Sequence, residues 1–320
     1  MTVVCACATF EESAYYCEGA DLFKLGAFSD DLASEFEAAA GLAAGQGLDG
    51  VAVRNVGGRN IVDVDVPDVR VIKRQADAHG LEIASVGSQY GRDCYVDSDD
   101  DQRRAEQQLE RALRAAELLD APLVRIFALW LPGQEPLPEW HRRPQYPDCL
   151  PAVVARLRSS VRMAERAGIT LMIELEGASY AGRATEARQL IEALDSPSVA
   201  LCWDVCNGWW SGEQPWEDGY REATQVRIVD VQTKDVPATP EDPARPTFGR
   251  AVVGEGDVPY AKIIPALIAS GYEGYFTVER VHHPRKPEEQ PELQQATLAD
   301  IRNLKALVAA GSRQEVRHRG

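Results

Sequence analysis

Polar residues with useful chemistry recur at one kind of place in this chain. VALCWDVCNGWW climbs through apolar residues to Asp204 and then breaks into a loop. LMIELEG carries Glu174, IVDVQTKD carries Gln232 and Lys234, and YFTVER carries Glu279. Apolar runs of this length read as buried strands, so each delivers polar side chains at its C-terminal end. Alternation places Glu174 with Glu176, Asp230 with Gln232 and Lys234, and Tyr275 with Thr277 and Glu279 on common faces. With the valines and leucines turned toward helices, these polar sets point inward. Carboxylates buried side by side must protonate, pair with cations or bind a metal ion. Glu174, Asp204 and Glu279 offer three hard oxygen donors and Gln232 a neutral fourth. Such a set suits Mn²⁺ or Mg²⁺, with Co²⁺, Zn²⁺ or Fe²⁺ as further options.

The elements that must hold these residues repeat along the chain. β-rich runs occur at 2–8, 49–54, 81–87, 122–128, 169–175, 198–204, 226–232 and 274–279. Between them lie segments of helical periodicity, such as 101–119 and 151–168, and several end in Gly just before the next strand (HGLEI, AGITL, SGYEGY). Strands alternating with amphipathic helices predict parallel strands joined by crossovers. Eight such units fit a (β/α)₈ TIM barrel, typically about 250 residues. The rival, a doubly wound open sheet, lacks a G-x-G-x-x-G after its first strand. The barrel is expected over 1–285, followed over 286–320 by a C-terminal helix (about 291–310) and a frayed polar tail (311–320). Long loops at 129–150 and 236–256 leave strand ends on one face, as in the rim of a barrel's active site.

Composition excludes several classes. The net charge of −16 is repelled by a phosphate backbone, and HRRP and RHRG are too short to form a basic face, so nucleic acid is not expected as a partner. No run approaches the ~20 apolar residues of a membrane span. The N-terminus lacks a signal-peptide pattern, so a cytoplasmic location is expected. The seven cysteines are odd in number and scattered without a C-x-x-C pair, which argues against a disulfide scaffold or a structural zinc. Cys202 is expected in the core, and Cys206 stands at the rim as a minor candidate for a ligand or nucleophile.

GITLMIELEG, ALCWDVCN, VQTKD, GEGDVPY and GYFTVE, in this order and spacing, resemble the xylose isomerase-like barrels of the sugar-phosphate isomerase/epimerase family. That family includes tagatose 3-epimerase, hydroxypyruvate isomerase and myo-inosose dehydratase. The resemblance spans roughly residues 3–285. It implies a metal held by Glu, Asp, His and Glu at four strand ends, and Glu174, Asp204 and Glu279 match three of them. Gln232 stands where the family has His, Asn207 where a His often follows the Asp by three, and Glu176 where another His or similar group is usual. Gln is a weaker donor than imidazole, which implies a looser site or a harder ion.

The resemblance further implies an isomerase or epimerase of a keto-sugar, cyclitol or related polyol, with Glu174 and Glu279 as base and acid on either side of the substrate. Lys234 would stabilise an enolate oxygen or assist proton transfer; its structural alternative is a salt bridge to Glu255 or Asp235. Glu176, Asn207, Trp209, Arg250, Glu255 and His282 are the candidate substrate contacts. His283 stands beside His282 as an alternative nitrogen. Trp130, Trp140, Trp210 and Trp216 would wall the pocket or serve a contact between copies in a homo-oligomer. The partner expected is a small sugar or polyol. A dehydratase or lyase of the same family is the alternative activity, and a non-catalytic sugar-binding barrel with a degraded metal site is a further one.

Overall fold

A computed structural model describes residues 23–132, 146–280 and 286–319. Strands β1 (Lys24–Phe28), β2 (Gly50–Val53), β3 (Glu82–Gly87), β4 (Leu123–Ile126), β5 (Thr170–Glu174), β6 (Val199–Asp204), β7 (Ile228–Thr233) and β8 (Tyr275–Val278) form a closed barrel. Each strand runs parallel to its neighbours, and β8 returns to pair with β1. The TIM-barrel expectation therefore holds.

The first strand is a correction. Residues 2–8 lie outside the described residues, and the barrel closes through KLGAF instead. That segment begins with Lys24, contains Gly26 and has no β-branched residue, so it carries little strand signal. The barrel floor explains its company. A Cβ on the neighbouring Gly50 would lie 2.7 Å from the Tyr275 hydroxyl, which reaches across to donate to Glu82.

Helices α1 (Phe36–Gly45), α2 (Val66–Ala78), α3 (Asp99–Leu119), α4 (Tyr146–Ala167), α5 (Ala184–Leu194), α6 (Val205–Trp210), α7 (Tyr260–Ala269) and α8 (Gln290–Arg319) cover the crossovers and the C-terminus. In α3, Ser98 caps the start by accepting from the Asp101 N–H, and Asp99, Asp100 and Asp101 complement the positive end of the helix dipole. Its apolar stripe, Ala105, Leu109, Ala112, Leu113, Ala116 and Leu119, is buried at helical spacing. The chain leaves α3 through Asp120 at φ 52° and enters β4. Gly168 (φ 67°) does the same service between α4 and β5, as AGITL predicts.

Helix α8 runs through Arg319, so residues 311–319, expected as a frayed tail, are helical. It buries Ile301, Leu304 and Val308 and ties three loops together. Asp300 accepts from the Val253 N–H and pairs with Arg280; Thr297 donates to the Asp31 carbonyl; Lys305 donates to the Gln46 carbonyl. Among the described residues no helix is long and apolar enough to cross a membrane.

Glu213 is a buried acid away from the barrel mouth. It is 4% exposed and caps α5 by accepting from the Ala184 N–H at 2.7 Å. Burial pushes its carboxyl up to about 8, despite that hydrogen bond. The raised value makes the neutral form the folded-state preference. Its stabilising contribution is complete below the ordinary value near 4.5 and is lost as pH rises through about 8. Glu213→Gln, which cannot ionise, should therefore gain roughly 2–4 kcal/mol over wild type between pH 5 and pH 8. Urea denaturation at the two pH values measures the gain, and a pH-independent difference would contradict the assignment.

Candidate active site

The strand register brings the polar residues to one level. Gln232 pairs with Asp204 on one side and Thr277 on the other, which sets Lys234 beside Glu279 one pleat higher. The result is a buried cluster at the C-terminal mouth of the barrel. Glu174, Asp204 and Glu279 each offer a carboxylate oxygen, all within 4.8 Å of one another. They are 3%, 0% and 3% exposed. The acids predicted to converge do converge.

Each acid also touches a cation. Lys234 Nζ lies 2.6 Å from Asp204 Oδ2 and 2.8 Å from Glu279 Oε2. Arg125 Nη1 donates to Glu174 Oε2 at 3.0 Å, and Arg54 Nη1 donates to Glu279 Oε1 at 2.7 Å. Lys234 thus pairs with neither Glu255 nor Asp235, the two partners its sequence position suggests. Asp235 is taken up by the backbone N–H groups of Val236, Gly254, Gly256 and Val258, which pull the rim loop onto the strand end. Glu255 is exposed and accepts from Asn303 on α8.

The two arginines escape the sequence reading. Arg54 lies just past β2 and Arg125 sits inside β4, and both are buried. Their planes lie on aromatic rings: Arg54 over Phe28 at 4.4 Å, Arg125 between Phe28 at 5.7 Å and Phe127 at 5.0 Å. Arg54 also pairs with Asp30 and Asp31, just past β1. The signal was a lone arginine in an apolar run (VAVR, LVRIF), because a buried guanidinium requires a buried acid.

These partners divide the carboxyls. Burial pushes Glu279 up, but Lys234, Arg54 and Arg125 together override it and hold the group at about 2. Burial dominates at Asp204, pushing it up to about 7 against the pull of Lys234. Burial also raises Glu174, opposed by Arg125. The Lys234 ammonium, disfavoured by burial, is held charged by Asp204, Glu279 and Glu174.

Donor chemistry fits a divalent cation: three hard oxygens converge, and Gln232 Oε1 is buried without a hydrogen-bond partner among the described residues. In the arrangement seen, however, Gln232 turns its amide nitrogen to Glu174 Oε2 at 3.0 Å, and Lys234 fills the space between Asp204 and Glu279.

The other candidates take varied places. Asn207 is buried beside the cluster, where its N–H donates to Asp204 Oδ1 and its amide to the Leu175 carbonyl, so it orients Asp204. Glu176 accepts from the Ala178 N–H in its own turn. Trp209 and Trp210 donate from their indoles to the carbonyls of Ala244 and Thr247, clasping the loop whose hairpin pairs Ala238–Thr239 with Asp242–Pro246. Trp216 stacks on Tyr220, and Trp130 meets Phe127 edge-on. Arg250 is exposed on the rim loop and lines a small cavity with Lys234, Asp235, Arg280 and Asp300. His282, His283 and Trp140 lie outside the described residues. Cys206 is fully buried and donates to the Lys234 carbonyl, which the Tyr260 hydroxyl also holds; burial pushes its thiol well up, so it behaves as a core residue.

A family model described as xylose isomerase-like TIM barrel matches residues 40–306. No curated protein matches the sequence. Solved structures share the fold at low identity. An L-ribulose 3-epimerase has 16% identity and a TM-score of 0.69, covering 93% of this chain and 98% of that one. A D-psicose 3-epimerase from Clostridium cellulolyticum H10 has 16% identity and a TM-score of 0.67, covering 89% and 99%. A probable 3-DHS dehydratase from Bacillus anthracis, involved in petrobactin synthesis, has 16% identity and a TM-score of 0.66, covering 88% and 99%.

Removing one member of a buried ion pair strands the other. Arg125→Met keeps the apolar contact with Phe28 and Phe127 but leaves Glu174 without its cation, and should cost about 3–5 kcal/mol in urea denaturation. Adding Glu174→Gln should recover most of that loss. Additive losses would mean that the pair does not interact.

Proposed function

The chain belongs to the xylose isomerase-like TIM barrel family, and we propose that it acts there as an isomerase or epimerase of a keto-sugar, cyclitol or related polyol. The observation that carries this reading is the convergence of Glu174 and Glu279, from different strands, on one buried mouth that also holds a lysine. Sugar epimerases among the structures that share the fold support it.

A divalent cation, Mn²⁺ or Mg²⁺ by the hardness of the donors, would be held by Glu174, Asp204 and Glu279 with Gln232, and would supply the Lewis acidity that loosens a C–H beside a carbonyl. The chain's own groups handle the proton. Glu279, held ionised, is the base, and its Oε2 becomes available when Lys234 turns to a substrate oxygen. Both donors to Glu174 converge on Oε2, which leaves Oε1 to carry a proton and deliver it from the other side. Lys234 steadies the negative charge that develops on the enolate oxygen. Asn207 keeps Asp204 aimed into the cluster. The closed barrel and the clasped rim loop exclude water from these steps.

A dehydratase is the second reading. The same enolate expels a hydroxyl placed β to the carbonyl, and a probable 3-DHS dehydratase shares the fold. Asp204, pushed up to about 7, is suited to protonate that leaving group.

A panel of ketoses and inososes incubated in D₂O tests the assignment. Deuterium should enter recovered substrate at the carbon beside the carbonyl without loss of water, whereas stoichiometric loss of water would assign the dehydratase. Glu279→Gln and Glu174→Gln should each lower kcat about 10²–10⁴-fold. Full exchange in both variants would remove these residues from the reaction.

A further inference from the structure

We propose that the Lys234 ammonium occupies the place a divalent cation takes among Glu174, Asp204 and Glu279, so that ammonium and metal are alternative occupants of one position. The inference rests on reading the three acids as a cation site, and adds that this chain carries its own competitor for it.

Three observations carry the proposal. First, Nζ bonds the facing oxygens of Asp204 and Glu279 at 2.6 and 2.8 Å. A Mg²⁺ or Mn²⁺ ion reaching those same oxygens at about 2.1 Å would lie against Nζ, two positive charges in contact in a buried site. Both cannot stay. Second, Gln232 is turned for the ammonium-filled state. Its Nε2 donates to Glu174 while Oε1, fully buried, has no hydrogen-bond partner among the described residues. A half-turn of the amide presents Oε1 to an ion and removes the donor from Glu174, which Arg125 continues to hold. Third, Lys234 has somewhere to go. Its backbone is fixed by the Tyr260 hydroxyl and Cys206, but Nζ lies 6.0 Å from the centre of the Trp210 ring. That indole is held at the rim by the Thr247 carbonyl and by stacking on Phe248. Nζ already lies over that face, and a further swing toward it gives up the two carboxylates for a closer cation–π contact.

Two side-chain movements, of Lys234 and Gln232, therefore separate a metal-free, self-compensated centre from a metal-loaded one. Occupancy depends on how well Mn²⁺ competes with a tethered ammonium whose effective concentration is high.

Mn²⁺ alone is the probe. Wild type, Lys234→Met and Lys234→Gln are stripped with EDTA, desalted and titrated with Mn²⁺, free Mn²⁺ being read by electron paramagnetic resonance and thermal unfolding followed in parallel. Removal of the competitor should tighten binding of one Mn²⁺ per chain at least about tenfold. Both variants should melt below wild type in chelator and recover with Mn²⁺ more than wild type does. Equal affinity in all three proteins overturns the proposal, as does weaker binding in the variants, or no binding in folded variants. The D₂O exchange assay on wild type separates this from the functional reading. Tight Mn²⁺ in the variants without exchange in wild type leaves the competitor role standing and removes the enzyme assignment. Exchange in wild type without Mn²⁺ binding in the variants does the reverse.

Discussion

Three carboxylates buried with oxygens within 4.8 Å of one another need positive charge among them, and the rest of this structure is arranged to supply it. In a low-dielectric interior like charges cannot accumulate, and isolated ions are expensive to bury. The chain answers with Lys234 between Asp204 and Glu279, Arg125 on Glu174, and Arg54 on Glu279. Breaking any one pair exposes the others to repulsion, so the cluster acts as a unit rather than as separate bridges. The same arrangement separates the carboxyls, Glu279 held low and Asp204 raised, and thereby distinguishes groups of one chemical type.

Barrel geometry makes that density of charge attainable. Parallel strands in fixed register deliver side chains at one level from non-consecutive parts of the sequence, and the outward-facing valines and leucines anchor each strand against its helices. Arg54 comes from just past β2, Arg125 from β4, Glu174 from β5, Asp204 from β6, Lys234 from just past β7 and Glu279 from just past β8. Around this mouth the rim is fastened by backbone rather than by apolar packing alone. Asp235 gathers four amides, and two indoles hold the loop after β7. Helix α8 braces it from behind, with Asp300 joining Val253 and Arg280.

Much of this was legible from pattern. Seven of the eight barrel strands announce themselves as apolar runs, and alternation correctly turned Glu174, Gln232, Lys234 and Glu279 toward one another. The partners were harder to see because pairing across strands depends on stagger, which local periodicity does not encode. Lys234 looked toward Asp235, its neighbour in sequence, and toward Glu255 in the following loop, whereas register places it against Asp204 and Glu279. Arg54 and Arg125 were hidden inside strands counted for their apolar residues. Trp209 and Trp210 spend their N–H groups on loop carbonyls, a role invisible without the fold. KLGAF, with Lys24 at its start, Gly26 at its centre and no β-branched residue, carries too little strand signal to register.

The central claim, that these carboxylates share a single cation position, is tested most directly by anomalous diffraction from crystals soaked in Mn²⁺. The account predicts one peak bounded by Glu174, Asp204 and Glu279, with Gln232 Oε1 facing it and the Lys234 ammonium withdrawn toward Trp210. Acids turned apart with no peak between them, or an ammonium still bridging Asp204 and Glu279 beside the bound ion, would contradict it.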